Sequence, residues 1–431
     1  MQTPARTPAG GITTSQSPPF SLPIRFMLLG MVGFIVFAFD MVVQSSGLNG
    51  HTTFLPNVVA LTHLLTLGSL LAFVMGAVYQ LSTVAFLIPI KTVALAKWNF
   101  WLYGISIVGL IVSMMVWWVM GLMVFGTLAV IAIYLYSIII IWSISVTKVR
   151  GAMQWFVLSA HIYLIVAVSL ALLLIISFLA PGFLANVYQP LLLSHIVFAA
   201  GGFFTFLVMG FSFKLLPMFT LSHGFSTSRQ KWTLILAHLA LWAFVFGIWV
   251  NLRSVLWIAG IIAIATFINH LFDLRGIMKK RLRKNTEAPI YAVLVATYIG
   301  GFVFLLLFVQ LGVALQITGW QEIVTFYLMG WVTLTVMGFA YKIIPFLIWN
   351  ERFSKKVGKE KTPMIADLLH PNRARPVLIG FLVGLVLLTV FSLISWMPGT
   401  MIGTLLIGVS LVVFSIQLLR VVVLKKVGKE L

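Results

Sequence analysis

Twelve apolar stretches of about transmembrane length recur along this chain, and they limit its fold more than any other feature. They cover roughly residues 24–46, 57–89, 98–120, 122–146, 154–180, 190–221, 230–250, 254–274, 287–312, 320–350, 374–396 and 399–424. A helix needs about 20 such residues to cross the hydrocarbon core of a bilayer. Since 61% of the residues are hydrophobic and only 8% are charged, a soluble domain is excluded. The sequence predicts an all-α polytopic membrane protein with about 12 transmembrane helices.

The charged residues lie between the apolar stretches and concentrate in alternate connections. Lys91 and Lys97, Lys148 and Arg150, and the run "RGIMKKRLRK" from Arg275 all fall on one side. The connections on the other side hold a single basic residue, in "NLRS". The positive-inside rule predicts that the basic side is cytoplasmic, and an even number of helices places both termini there. We expect a multi-pass protein of the cell membrane whose partner is the lipid bilayer, and the net charge of +20 does not indicate nucleic acid.

Three segments are expected along the chain. Residues 1–22 are rich in Pro, Ser and Thr and are predicted to be a disordered cytoplasmic N-terminus. Residues 23–425 form a single membrane domain, and residues 426–431 form a basic C-terminal tail. The apolar stretch after Arg25 lacks a small-residue cleavage site, so we interpret it as a retained helix. The absence of Cys excludes disulfides, thiolate metal sites and covalent c-type haem attachment within the chain.

One motif occurs three times, in the second, sixth and tenth predicted helices. The pattern G-x6-M-G-x2-[YF]-[KQ] begins at Gly68, Gly202 and Gly330, and successive copies lie 134 and 128 residues apart. Each interval holds four helices, so we predict three pseudo-symmetric four-helix units. The units cover about residues 24–146, 154–274 and 287–424.

The glycines of this motif have two interpretations. Small residues let transmembrane helices approach closely, and they also leave room for a flat ligand. Gly68, Gly76, Gly202 and Gly210 are therefore candidate cofactor-binding positions as well as candidate packing positions. The motif ends in a lysine in two of its copies, where an ammonium group can extend to the membrane surface.

Five histidines lie within predicted helices, where an ionisable residue is costly and marks a candidate site. His63 and His195 lie near the outer starts of the second and sixth helices, whereas His161, His238 and His270 lie in the inner half. Neutral imidazole is a common ligand of haem iron and copper. We predict that His63 and His195 bind a metal or cofactor. The three inner histidines are secondary candidates, for which a hydrogen bond between helices is the alternative.

Carboxylates are scarce, and none is predicted at mid-membrane. Asp40 and Glu322 lie near the outer ends of their helices, and Asp273 lies near an inner end. A transmembrane proton relay or an ion-coupled transporter usually needs a central carboxylate, so both functions are disfavoured. The chain also lacks a P-loop, a Gly-rich nucleotide motif and an H-E-x-x-H motif.

With helices 2, 6 and 10 equivalent in three four-helix units, the chain resembles subunit I of the haem–copper oxidases. The resemblance implies that His63 in "THLLTLGSLLAFVMG" is an axial ligand of a low-spin haem, and His195 in "LSHIVFAAGG" is similar in placement to a copper ligand. Helix 10 of that family brings an H-x-H pair, but "TFYLMGWVTL" has no histidine, and helix 7 has only His238. The resemblance therefore implies an oxidase-like scaffold from which neither oxygen reductase activity nor copper is expected.

A second, narrower resemblance involves the same helix. The stretch from His63 through Gly68 and "AFVMGAVYQLS" is similar to the second-helix motif of the NnrS family. Members of that family are twelve-helix, haem-containing membrane proteins associated with nitric oxide responses. They usually have an acidic residue directly after this histidine, where the present chain has Leu64. This resemblance also implies haem as the cofactor.

The sequence is compatible with three functions. The first is a haem protein that uses His63, with His195 as second ligand or distal-pocket residue, in respiratory electron transfer, haem handling or response to nitric oxide. The second is a haem-free scaffold or assembly subunit that contacts other respiratory subunits or itself. The third is a transporter, although broken-helix pairs and central charges are not evident.

Overall fold

Twelve helices long and apolar enough to cross a membrane are present in the described part of the chain, as predicted. The structure is a computed structural model that describes residues 15–45, 55–180, 182–312 and 320–423. Most of the predicted disordered N-terminus, residues 1–14, and the predicted tail at 426–431 lie outside the described residues. Between Ser15 and Val423 the described ranges contain helices and connections but no β-strand.

The helices follow the predicted apolar stretches, and all twelve overlap them. They are α1 Ser21–Val43, α2 Pro56–Phe86, α3 Val93–Met115, α4 Val119–Ser145, α5 Ala152–Leu179, α6 Tyr188–Thr220, α7 Ser228–Val250, α8 Arg253–Lys279, α9 Ala288–Leu311, α10 Trp320–Lys356, α11 Pro371–Leu393 and α12 Met397–Val423. α2, α6 and α10 are the longest of the twelve. α2 and α10 are also the most buried of the twelve, so they form the interior of the bundle.

Three of the helices share an irregularity that the sequence did not predict. α2, α6 and α10 each contain an eight-residue π-helical segment, at Leu64–Leu71, Val197–Phe204 and Phe326–Thr333. In a π-helix each N–H bonds five residues back, so an extra residue enters the turn. Each segment contains the first glycine of the repeated motif. The pseudo-threefold repetition of the fold therefore extends to the local backbone.

Side-chain hydroxyls add hydrogen bonds to backbone carbonyls of these segments. In each case a Ser or Thr donates a hydrogen bond to the carbonyl five residues earlier. The bonds run from Ser69 Oγ to Leu64 O at 3.0 Å, from Thr205 Oγ1 to Ala200 O at 3.1 Å, and from Thr333 Oγ1 to Leu328 O at 2.8 Å. Because lipid offers no hydrogen-bond partners, these three hydroxyls bond within their own helices.

The second glycine of each motif packs against the first helix of its own unit. A Cβ atom on Gly76 would lie 2.4 Å from Pro23 O in α1, one on Gly210 2.8 Å from Phe156 Cβ in α5, and one on Gly338 2.6 Å from Pro289 O in α9. Only hydrogen in place of a side chain permits these approaches. The packing interpretation of the repeated glycines is therefore confirmed at the second position.

The bundle has two ends, which differ in the residues that α2, α6 and α10 place there. We name the end at which these helices begin the His end and the end at which they finish the Lys end. At the Lys end, Glu287 accepts from Lys342 Nζ at 2.5 Å and from Arg283 Nη1 at 2.6 Å. Lys342 of the third motif copy is thus paired with a carboxylate and lies over the Phe219 ring.

Candidate functional site

The His end brings together the two histidines that the sequence singled out. His63 directly precedes the π-helical segment of α2, and His195 lies two residues before that of α6. Their ring centroids are 6.4 Å apart, and the ring planes are within 8° of parallel. The pseudo-symmetry brings the two histidines to the same end of the bundle, because α2 and α6 are equivalent helices, although His63 lies five residues before Gly68 and His195 seven before Gly202. We call these two residues the histidine pair.

A backbone carbonyl fixes the orientation of each ring. Nδ1 of His63 lies 2.8 Å from Val59 O on its own helix, and Nδ1 of His195 lies 2.9 Å from Ala167 O in α5. Because a carbonyl oxygen only accepts, each Nδ1 carries the proton and donates it. Each Nε2 then keeps its lone pair, which is the arrangement of a histidine that ligates a metal.

The separation of the rings fits one metal ion held by two imidazoles. Two metal–nitrogen bonds of about 2 Å, with half a ring on either side, separate opposed ring centres by roughly 6 Å. The observed 6.4 Å agrees with this value. The half-buried residues about one turn after each histidine, Thr66, Leu67, Ala199 and Ala200, are uncharged, which suits a flat apolar cofactor more than a hydrated ion. Two imidazole donors near uncharged residues are a set that haem iron can use.

Tyrosines from other helices reach the π-helical segments of the histidine-bearing helices. Tyr327 of α10 donates to Ala200 O at 2.7 Å, and Tyr103 of α3 donates to Leu67 O at 2.7 Å. Sequence reasoning missed both residues. The sequence could have indicated Tyr327, because it lies three residues before Gly330 in the third repeated helix, which has no histidine. The third central helix thus contributes a hydrogen-bond donor instead of a ligand.

The inner histidines do not join the histidine pair. His161 Nε2 lies 3.1 Å from the Tyr136 hydroxyl in α4, and Nδ1 of His238 lies 2.5 Å from the Tyr163 hydroxyl in α5. Both are hydrogen-bonded residues between helices, which was the alternative interpretation. His270 is fully buried between aromatic rings, and neither ring nitrogen has a hydrogen-bond partner among the described residues.

No group of three or more His, Cys, Asp or Glu residues suited to a metal ion occurs in the described ranges. The acidic residue nearest the start of α10, Glu322, is buried and accepts from Ser392 Oγ of α11 at 3.1 Å. Its described contact therefore lies inside the third unit. Among the described residues, the histidine pair would provide the ligands of a metal at the His end.

Neighbouring helices lie close to three of the four glycines predicted to contact a cofactor. Gly76 and Gly210 abut α1 and α5, and a Cβ on Gly202 would lie 2.6 Å from Tyr163 Cβ of α5. Gly68 has slightly more room, since a Cβ there would lie 3.0 Å from Leu64 Cδ1 and 3.3 Å from Ile111 Cδ1. The space beside Gly76, Gly202 and Gly210 is thus filled by neighbouring helices and leaves no room there for a porphyrin.

The hydrogen bond between His161 and Tyr136 yields a prediction about stability. We expect Tyr136→Phe to lower the free energy of unfolding by about 1–2 kcal/mol, because His161 Nε2 would remain buried without a donor. Thermal unfolding of the purified protein in detergent measures this effect. Tyr188→Phe, at a half-buried tyrosine without a hydrogen-bond partner among the described residues, is the matched control and should leave the unfolding temperature unchanged. Equal behaviour of the two variants would contradict the prediction.

The chain matches no model of a known protein family and none of the curated proteins with which it was compared.

Proposed function

We propose that this chain is a haem-binding membrane protein of oxidase-like architecture, in which Nε2 of His63 and Nε2 of His195 ligate one haem iron. The observation that supports this most is the histidine pair itself, with parallel rings 6.4 Å apart. Both Nδ1 atoms donate to backbone carbonyls, which leaves the Nε2 lone pair of each ring available to a metal. Two fixed imidazoles from different helices are costly in a membrane unless they have a function.

A haem with two imidazole ligands transfers single electrons and offers no open coordination position. Electron transfer in the membrane is therefore the proposed role, in preference to haem handling or response to nitric oxide. The carbonyls of Val59 and Ala167 set the rotation of the two rings and increase the basicity of Nε2. Because α10 supplies Tyr327 where an oxidase would supply histidines, oxygen reduction is not proposed.

We also propose an orientation of the protein in the membrane. The basic connections favour a cytoplasmic Lys end with both termini cytoplasmic. The histidine pair then lies in the outer half of a cell membrane. Electrons would be exchanged with a partner at the outer surface or with other respiratory subunits.

A haem-free scaffold or assembly subunit is the second candidate function. The third unit favours it, because α10 holds the repeat glycines and the π-helical segment without any histidine. In that case the histidine pair would be a remnant of a cofactor site. The three units would share only the packing of their repeat glycines against neighbouring helices.

The visible spectrum of the purified protein separates the two candidates. We expect a Soret band and sharp α and β bands on reduction, as six-coordinate low-spin haem gives, from protein expressed with added haem precursor and purified in mild detergent. A pyridine haemochrome assay should give about one haem per chain, since one histidine pair is present. Protein that is folded and monodisperse but has no Soret band would overturn the haem proposal and favour the scaffold.

A further inference from the structure

A cavity of about 230 Å³ lies between α8 and α9 near the Lys end, away from the histidine pair. Arg275 and Arg281 contribute its cationic part, and Leu271 and Leu294 contribute apolar walls. Tyr291 and Tyr298 also line it and are exposed on the surface of the bundle. The cavity therefore opens toward the region that lipid occupies.

The two arginines have hydrogen-bonding capacity that the described residues do not use. Arg275 Nε donates to the Tyr298 hydroxyl at 3.4 Å, and its guanidinium lies 5.9 Å from the centre of that ring. Arg281 Nη1 donates to Met278 O at 2.7 Å, whereas its Nε is buried and has no partner in the described ranges. Neither guanidinium forms an ion pair with a described carboxylate, although Arg283 nearby does.

The backbone at Arg281 is held in place by contacts with the end of α6. Arg281 forms an isolated antiparallel bridge with Ser222, and Arg283 N donates to Thr220 O at 3.2 Å. Both partners lie at the Lys end of α6. The guanidinium of Arg281 is therefore attached to a segment that is ordered before any ligand binds, which lowers the entropic cost of binding.

Guanidinium groups bind phosphate oxygens through paired hydrogen bonds. A lipid phosphate lies at the depth at which transmembrane helices end, and Arg275 and Arg281 flank the last residue of α8. Tyrosines are common at this level of the bilayer. Leu271 lies one helical turn deeper than Arg275 in α8, and Leu294 lines the cavity from α9. Acyl chains of lipid would pass at this depth. Basic pockets between helices are suited to anionic headgroups.

We propose that this cavity binds an anionic phospholipid, with the phosphate on Arg275 and Arg281 and an acyl chain against Leu271 and Leu294. The apolar walls favour a lipid over a free phosphate ion, which would gain nothing from them. The inference is independent of haem, since the site lies at the opposite end of the bundle from the histidine pair.

The test compares lipids of equal acyl chains added to the detergent-purified full chain. Phosphatidylglycerol is expected to raise the unfolding temperature by several degrees more than phosphatidylcholine does. The double variant Arg275→Gln, Arg281→Gln should lose this difference. The matched double variant Lys279→Gln, Lys280→Gln removes the same charge from neighbouring exposed residues outside the cavity and should keep it.

A cavity-filling variant extends the test to a protein with both arginines intact. Leu294→Trp should abolish the preference for phosphatidylglycerol, and retention of the full preference in this variant would overturn the proposal. Equal losses in the arginine and lysine variants would instead indicate general attraction to a basic surface. A shift of the same size with inorganic phosphate alone would show a site for free phosphate and not for a lipid.

Discussion

His63→Ala and His195→Ala are each expected to lower the haem content of the purified protein by about tenfold or more. With one imidazole the site would hold the proposed haem iron far more weakly than with two, and even indirect changes at a ligand histidine cost about 10- to 100-fold in metal affinity. The ratio of Soret absorbance to protein absorbance measures the loss. Because the Nδ1 atoms of both rings donate to backbone carbonyls, neither histidine is expected to be replaceable by a neighbouring residue.

Two controls separate loss of a ligand from loss of the fold. His223→Ala and His370→Ala remove histidines from connections outside the twelve helices and should leave the spectrum unchanged. Added imidazole should restore part of the Soret band to His63→Ala, since the small ligand can occupy the space that the side chain leaves. A Soret band of full height in both pair variants would show that the haem is ligated elsewhere.

Gly76→Ala is expected to be the most damaging small substitution among the motif glycines. The added methyl group would lie 2.4 Å from Pro23 O and 2.9 Å from Met27 Cγ. The first of these contacts is with backbone, which can relax only if α1 and α2 move apart. Such overpacking costs about 1–3 kcal/mol. We expect a clear decrease in the unfolding temperature and in the monodisperse fraction on size exclusion.

Gly276→Ala provides the matched control for this substitution. Gly276 lies in α8, and no atom beyond its own stretch of helix lies within 4 Å of the position a Cβ would take. The same chemical change should therefore be neutral or slightly stabilising, because Ala has a higher helix propensity than Gly. If both alanine variants unfold at the wild-type temperature, the close approach of α1 and α2 is not a determinant of stability.

The sequence was sufficient for the number and position of the helices and for the equivalence of three of them. Hydropathy alone located all twelve helices, because a bilayer-spanning helix needs a long apolar stretch. The repeat then identified α2, α6 and α10 as equivalent. From depth and equivalence, His63 and His195 could be placed at the same end of the bundle, although not at a distance of 6.4 Å.

Other features depended on tertiary contacts that no local pattern specifies. No residue pattern in the sequence predicts the π-helical segments. The extra residue in each segment rotates the helix face before it relative to the helix face after it. Whether Gly202 faces a ligand or Tyr163 depends on that direction, and the structure places Tyr163 there. The hydrogen bond from Tyr327 to Ala200 joins residues of different units, so it could not be found within one helix.

The π-helical segments also affect how this protein can change during evolution. On one side of each segment the helix is fixed by a glycine that abuts a neighbouring helix, as at Gly76. On the other side it carries the residue that faces the His end, as at His63. A turn with an extra residue absorbs rotation between these two halves. A substitution before the π-helical segment can therefore change the residues at the His end while the packing glycines after the segment keep their contacts. Because three helices contain such a segment, a new function can arise at three places.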